Sequence, residues 1–345
     1  MKRIKLGYVD FFPGFQITKQ YYYRFLSRYY DIEIDNEHPD YLFFSVFGNK
    51  HLSYTNCIKI FWTGECQSPD FNFCDYAIGF DELSFGDRYF RYPLYFQYEK
   101  DYEQMCHKHQ FDLADLKQKS GFCSFVYSNT NASSKRQQIY DALAAYRPIA
   151  SGGRYHNNVG GPVADKIEFQ SKYKFCIACE NASMPGYSTE KLVQAFASKT
   201  IPIYWGDPHI AAVFNPKSFI NVSDFETLEQ LVEYVQKIDS DDALYLEMLR
   251  QPALLDMQLK DKKEQELKVF LQNIFEQDPL KAQRYNRVYW GERLRYQRVH
   301  ESKAYEKSII MMMKTFYNKY LFVTMRDHFP KVHQWLMKQK NAAQS

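Results

Sequence analysis

Short apolar runs closed by turn residues alternate along this chain with longer stretches of helical spacing. Residues 4–9 read as a strand, a Gly/Pro turn follows, and 17–30 carries Tyr21, Phe25 and Tyr29 at helical intervals. Further apolar strands are expected at 41–47, 57–62, 76–80 and 89–95, before a charged helical segment at about 102–119. Gly121 opens a second series: strand 122–127, helix 134–146, a Gly152-Gly153 loop, strand 173–178, and a helix with Leu192, Ala195 and Phe196 on its inner face. Strands 201–204 and 219–222 and helices 228–238, 243–249 and 263–275 complete it. A β-then-α order running twice predicts an α/β chain with two Rossmann-like domains. We divide it as residues 1–118, residues 119–278 and a tail, residues 279–345.

Charge changes the picture mainly at that tail. The chain carries a net charge of +3, but residues 281–345 hold fourteen Lys and Arg against four Asp and Glu, so the rest is acidic. Within the tail, Ile309, Met312, Met313, Phe316, Tyr320 and Val323 recur with helical periodicity, with Lys314, Lys319 and Arg326 on other faces or at the edges. Such a helix suits either an anionic membrane surface or packing on its own domains or on a partner chain. Nucleic acid is not expected, because the body is acidic and no recognition motif is present. No signal-peptide core and no membrane-length apolar run is present, which predicts a cytoplasmic protein, peripheral at the inner membrane face if the tail binds lipid.

Seven cysteines at irregular spacing fit a reducing compartment. Cys176 and Cys179 lie on a predicted strand and read as packing. Cys106, His107 and His109 read as surface. Asp239-Ser240-Asp241 mimics a metal-binding Asp-x-Asp, yet it falls between two predicted helices, where such residues act as caps. Aromatic residues make up 18% of the chain, and many occur in its first hundred residues. Most are expected in the core, although flat rings also suit sugar-binding surfaces.

The most informative run is Glu180-Asn181-Ala182-Ser183-Met184-Pro185-Gly186-Tyr187-Ser188-Thr189-Glu190-Lys191-Leu192. It joins a buried strand to a helix, with Ser188 the expected N-cap and Thr189, Glu190 and Lys191 in the first turn. Glu190 suits the positive potential there, whereas Lys191 does not. A lone lysine at that place is more often simply solvated. In a β-α-β unit, beyond the carboxyl end of a strand, it instead suggests an anionic ligand such as a diphosphate.

The stretch from residue 175 to residue 206 resembles the sugar-nucleotide segment of the α1,3/4-fucosyltransferases, inverting glycosyltransferases that use GDP-fucose. Phe61-Trp62-Thr63-Gly64-Glu65-Cys66-Gln67-Ser68-Pro69, with Asp75-Tyr76-Ala77-Ile78-Gly79-Phe80-Asp81, is similar to the acceptor-domain segment of bacterial members. Residues 122–131, with Arg136 and Tyr140-Asp141-Ala142-Leu143, resemble the first β-α turn of the donor domain. The likeness runs from about residue 57 to about residue 260.

This resemblance implies a GT-B architecture, two Rossmann-like domains facing across a cleft, and transfer of L-fucose from GDP-fucose to the 3-hydroxyl of GlcNAc in N-acetyllactosamine-type or lipid-linked glycans of a bacterial surface. Transfer to the 4-hydroxyl, another acceptor, or glycan or nucleotide binding without turnover are the alternatives. The resemblance implies Glu65 as general base and Glu190 as the carboxylate near the fucose ring. Arg136, Asn181, Tyr187, Glu190 and Lys191 would bind the donor, with Arg154 and Lys217 as lesser phosphate candidates. No metal is required on this reading, any effect of a divalent cation being stimulatory rather than structural.

Overall fold

A computed structural model describes residues 1–107, 113–129 and 132–308, together with Met312, Met313, Phe316, Phe329 and Val332. His109 and nearly all of the tail beyond Ser308 lie outside these residues. The chain forms two compact units, residues 1–48 with 56–284, and residues 49–55 with 285–345.

The first unit contains two wholly parallel sheets. One is built from β1 (Lys2–Val9), β2 (Tyr30–Ile34), β3 (Tyr41–Phe44), β4 (Ile58–Trp62), β5 (Tyr76–Gly79) and β6 (Tyr89–Arg91), in the order β2-β1-β3-β4-β5-β6. The other comprises β7 (Gly121–Phe125), β8 (Ile149–Ser151), β9 (Tyr173–Cys179), β10 (Ile201–Trp205) and β11 (Ile220–Asn221), in the order β11-β10-β9-β7-β8. The helices of this unit are α1 (Tyr21–Leu26), α2 (Glu99–Cys106), α3 (Leu113–Lys117), α4 (Ser134–Tyr146), α5 (Lys166–Ser171), α6 (Glu190–Ala197), α7 (Leu228–Ser240), α8 (Asp242–Arg250), α9 (Leu259–Glu276) and α10 (Pro279–Ala282). Strands β3, β4 and β5 are buried along their whole length, so apart from the buried Lys59 of β4 they read as apolar runs rather than as alternation.

Departures from expectation have local causes. The first helix stops at Leu26, and Tyr30 enters β2 opposite Lys2. The alternating Tyr30-Asp31-Ile32-Glu33-Ile34 is the pattern of a half-covered edge strand, a period eclipsed by the preceding tyrosines. The strand expected at 89–95 is confined to Tyr89–Arg91, with Pro93 just beyond it. Strand β8 has only three residues, and α5 is a short helix capped by Asp165, so neither shows above its loop-like surroundings. Asp241 does cap α8 through Ala243 N and Leu244 N, while Asp239 is buried and held by Arg147 and Lys174.

The largest correction concerns α9. The sequence division assigns it to residues 119–278, but its apolar face packs on the first sheet. The Phe275 ring lies 5.4 Å from that of Tyr30 and 4.6 Å from that of Tyr41, while Phe270 meets Tyr76 and Phe90. Lys2 Nζ donates to the Phe275 carbonyl at 2.6 Å, and Tyr30 Oη donates to Glu276 Oε1 at 3.1 Å. Covering Leu267, Phe270, Leu271, Ile274 and Phe275 requires a second apolar surface, and the first sheet supplies it. The boundary at residue 278 therefore does not separate the halves.

The second unit holds α11 (Tyr289–Glu306), with the Asn49 side-chain amide donating to the Ser302 hydroxyl. Val288, Trp290, Leu294, Tyr296 and Tyr305 are exposed on or beside this helix, and Arg293 lies over the Trp290 ring. Of the tail stripe, Met312, Met313 and Phe316 are described and exposed, and Ile309, Tyr320 and Val323 lie outside the described residues. No helix among the described residues is long and apolar enough to cross a membrane.

Because Phe275 is fully buried between strands of the opposite half, Phe275→Ala is expected to lower stability by about 3–5 kcal/mol. Urea denaturation checks this. A loss below about 1 kcal/mol would mean that α9 is not integral to the first sheet.

Candidate active site

Strand β9 carries five buried residues to its end and then places a carboxylate, Glu180, where solvent does not reach it. A buried carboxylate needs partners, and Glu180 has three. Its Oε1 accepts from the Thr189 backbone N–H at 2.8 Å, and its Oε2 accepts from the Thr189 hydroxyl at 2.7 Å and from Lys191 Nζ at 3.0 Å. Two glycines permit this arrangement. A side chain at Gly206 would strike Glu180 Cγ at 2.4 Å. Gly186, at φ +80°, presses against the Phe80 carbonyl of the first half, where a Cβ would come within 2.3 Å.

This pairing shifts the helix start. The N-cap is Thr189, not Ser188, and its hydroxyl is turned to Glu180 rather than capping the first turn of α6. Lys191 Nζ also donates to Thr189 Oγ1 at 2.8 Å and lies 3.3 Å from Glu190 Oε1. Burial alone would push the Lys191 ammonium down. Glu180 and Glu190 more than offset it and hold the group above its ordinary value. For Glu190, burial pushes the carboxyl up, but Lys191 and Lys166, with backbone and Thr189 hydrogen bonds, bring it well below the usual carboxylate range. The first turn of α6 thus presents an anchored cation beside an anion, each favoured in its charged form at neutral pH.

The opposite wall comes from the first sheet. After β4, Thr63 and Gly64 turn the chain so that Glu65, whose N–H donates to Thr63 Oγ1, sits exposed at the cleft. Tyr187 bridges the two halves. Its hydroxyl lies 3.5 Å from the Gly64 carbonyl, its ring meets Phe80 edge-on at 4.9 Å, and burial pushes its phenol well up. Glu65, Asn181, Tyr187, Glu190 and Lys191 line one cavity of about 430 Å³, together with Trp62, Tyr98 and a group of phenylalanines.

The structure gathers five of the expected residues in this cavity and puts three elsewhere. Arg136 is buried, contrary to its expected place against a phosphate. Its guanidinium donates to the carbonyls of Asn129 and Glu180 and to Asn181 Oδ1 at 2.6 Å, and it lies 4.1 Å over the Tyr127 ring. Its charge is used to hold Asn181 at the cavity wall. Arg154 and Lys217 are exposed and do not line the cavity. Glu180 heads the informative run, but the sequence reading assigns it no role, and its anchoring of Thr189 and Lys191 is tertiary. Its only signal is a carboxylate directly ending an apolar strand. Among the described residues no group of three or more His, Cys, Asp or Glu could hold a metal ion.

Comparison with known proteins follows the same outline. Residues 6–98 match the family model described as the α-(1,3)-fucosyltransferase FucT N-terminal domain, and residues 116–305 match that of the glycosyltransferase family 10 (fucosyltransferase) C-terminal region. The chain is 40% identical over 268 residues to an α-(1,3)-fucosyltransferase of Helicobacter pylori, a match covering 66% of this chain and 55% of that protein. It thus spans about half the length of that relative. A crystal structure of an α1,3-fucosyltransferase superposes with TM-score 0.71 at 34% identity, covering 80% of this chain and 91% of that one. A crystal structure of an α1,3-fucosyltransferase with GDP-fucose gives 0.69 at the same identity. The two-sheet α/β fold is common to them.

The sign of the Glu190 shift gives a pH dependence. A carboxyl whose folded-state pKa is depressed stabilises the fold above its unfolded value, and that stability is lost as pH falls through the folded value. The stability difference between wild type and Glu190→Gln is therefore expected to be full at pH 6 and to shrink steadily on acidification below the ordinary value of 4.5. Denaturant midpoints across that range measure it; a difference independent of pH contradicts the pairing.

Proposed function

The chain belongs to glycosyltransferase family 10, the fucosyltransferases, and from that premise we propose that it transfers L-fucose from GDP-fucose, with inversion, to the 3-hydroxyl of GlcNAc in N-acetyllactosamine-type glycans. The product would be of Lewis x type, on a bacterial surface glycan. The observation that supports this most is the opposition, across one cavity, of the exposed Glu65 and the anchored cation Lys191.

On this reading the donor diphosphate meets the first turn of α6, where Lys191 and the helix N–H groups receive it and Asn181 and Tyr187 add neutral hydrogen bonds. Glu65 takes the proton of the acceptor hydroxyl as its oxygen bonds to the anomeric carbon. The attack comes from the face opposite the diphosphate, so the β-linked donor becomes an α-linked product. As the bond to the phosphate oxygen breaks, its electron pair leaves with GDP. Lys191 faces the growing negative charge, and Glu190 faces the positive charge that develops on the sugar ring. Because a protein cation is already in place for the diphosphate, we read turnover as independent of a resident metal ion. Chelation by EDTA should then leave the rate within a factor of about two.

The test is GDP release from GDP-fucose with and without N-acetyllactosamine. Wild type should release GDP in an acceptor-dependent way. Glu65→Gln should lose about 10²–10⁴-fold in kcat with the donor still bound, and Lys191→Ala about 10²–10³-fold. Donor binding without release for any acceptor would instead support a binding protein that keeps the fold.

For the tail we propose a peripheral seat on an anionic membrane surface at the cytoplasmic face. The excess of Lys and Arg in residues 281–345 and the exposed aromatic residues of α11 support it. Co-sedimentation with vesicles containing anionic lipid should occur in low salt and fall as salt rises, with little binding to neutral vesicles. Equal binding to both vesicle types, or to neither, would contradict it.

A further inference from the structure

The cavity lining includes a cluster of aromatic rings that none of the chemistry above uses. They come from loops that follow β1 and β3. Phe11 and Phe15 stack with centroids 4.0 Å apart, and both rest on Trp62, at 5.3 and 6.1 Å. Phe12 meets Phe15 edge-on at 5.5 Å and Phe47 at 6.1 Å. Trp62 is buried and Phe11 and Phe15 are half-buried, but Phe12 and Phe47 are each 47% exposed.

These two loops are held as one piece. Asp10 adopts φ +61°, its carbonyl accepts from the Phe47 N–H at 2.9 Å, and a side chain at Gly48 would strike the Asp10 carboxylate at 2.4 Å. The rings are therefore presented on two linked loops at the carboxyl ends of neighbouring strands. Two half-exposed phenylalanines on such loops, continuous with a cavity that contains an exposed carboxylate, suggest a recognition surface rather than spare core. The polar groups interspersed with them, Lys19, Gln20, Ser45 and Gln97, line the same cavity. Apolar faces mixed with hydrogen-bonding groups suit a pyranose, which has a C–H face and a rim of hydroxyls.

We propose that Phe12 and Phe47 form a shelf for a second, uncharged sugar of the acceptor, adjoining the one whose hydroxyl faces Glu65. The acceptor class is then an oligosaccharide of at least two units, with a pyranose presenting its C–H face to these rings. This rests on the fucosyl-transfer reading above and deepens it.

Binding and turnover together test it, with GDP present for binding. The probes are N-acetyllactosamine and GlcNAc, measured by titration and by transfer kinetics on wild type, Phe12→Ala, Phe47→Ala and Phe12→Tyr. The shelf predicts that each alanine variant weakens the disaccharide about tenfold, within the range of stacking on one ring plus its buried area. GlcNAc binding and acceptor-free GDP-fucose hydrolysis should stay unchanged, and Phe12→Tyr should behave as wild type. Equal losses on both sugars, or none on either, would overturn the shelf while leaving fucosyl transfer standing. Disaccharide binding that depends on Phe12 without any transfer would keep the shelf and overturn the transferase reading. Absence of saccharide binding by wild type would overturn the shelf.

Discussion

The site depends on one buried carboxylate. Glu180 lies at the end of β9, out of contact with solvent, and its two oxygens hold the Thr189 backbone and hydroxyl and the Lys191 ammonium. This single contact fixes where α6 begins, turns Thr189 away from ordinary capping, and keeps a cation at a helix N-terminus that would otherwise repel it. Removing one partner of such a pair leaves the other charge buried and uncompensated, so the geometry is held far more firmly than a surface ion pair could hold it. On the proposed reading Lys191 faces the donor diphosphate with its own electrostatic cost met from behind by Glu180.

The rest of the fold serves to bring a second wall to that point. Gly186 allows the turn before α6 to touch the Phe80 carbonyl, and Tyr187 reaches toward the Gly64 carbonyl beside Glu65. On the far side, α9 returns to pack against the first sheet. The halves are thus tied at the cavity and again by a long helix. Glu65 and Lys191 thereby line one cavity from its two walls.

How much of this was legible can be judged residue by residue. The polar run from Glu180 to Lys191 stood out because its position after an apolar strand and before a helical period left little choice of geometry, and Glu65 could be picked only through family resemblance. Burial of Arg136 was not legible. A guanidinium reads as a surface group until the carbonyls of Asn129 and Glu180 and the face of Tyr127 converge on it, and that convergence is tertiary. The same holds for α9, whose apolar face specifies that it be covered but not by which sheet. Strands β2 and β8 were missed because edge strands are short or half polar, and their pairing energy comes from a neighbour distant in sequence.

The central claim is that Glu180 acts on the anionic ligand through Lys191. A double-mutant cycle on GDP affinity, with Glu180→Gln, Lys191→Met and the pair measured by calorimetry, tests it most directly. The account predicts that Glu180→Gln weakens GDP binding when Lys191 is present and has no further effect once Lys191 is gone, a coupling of about 0.5–3 kcal/mol. Strictly additive losses would show that the two residues act independently, and the buried pair would then be a feature of folding alone.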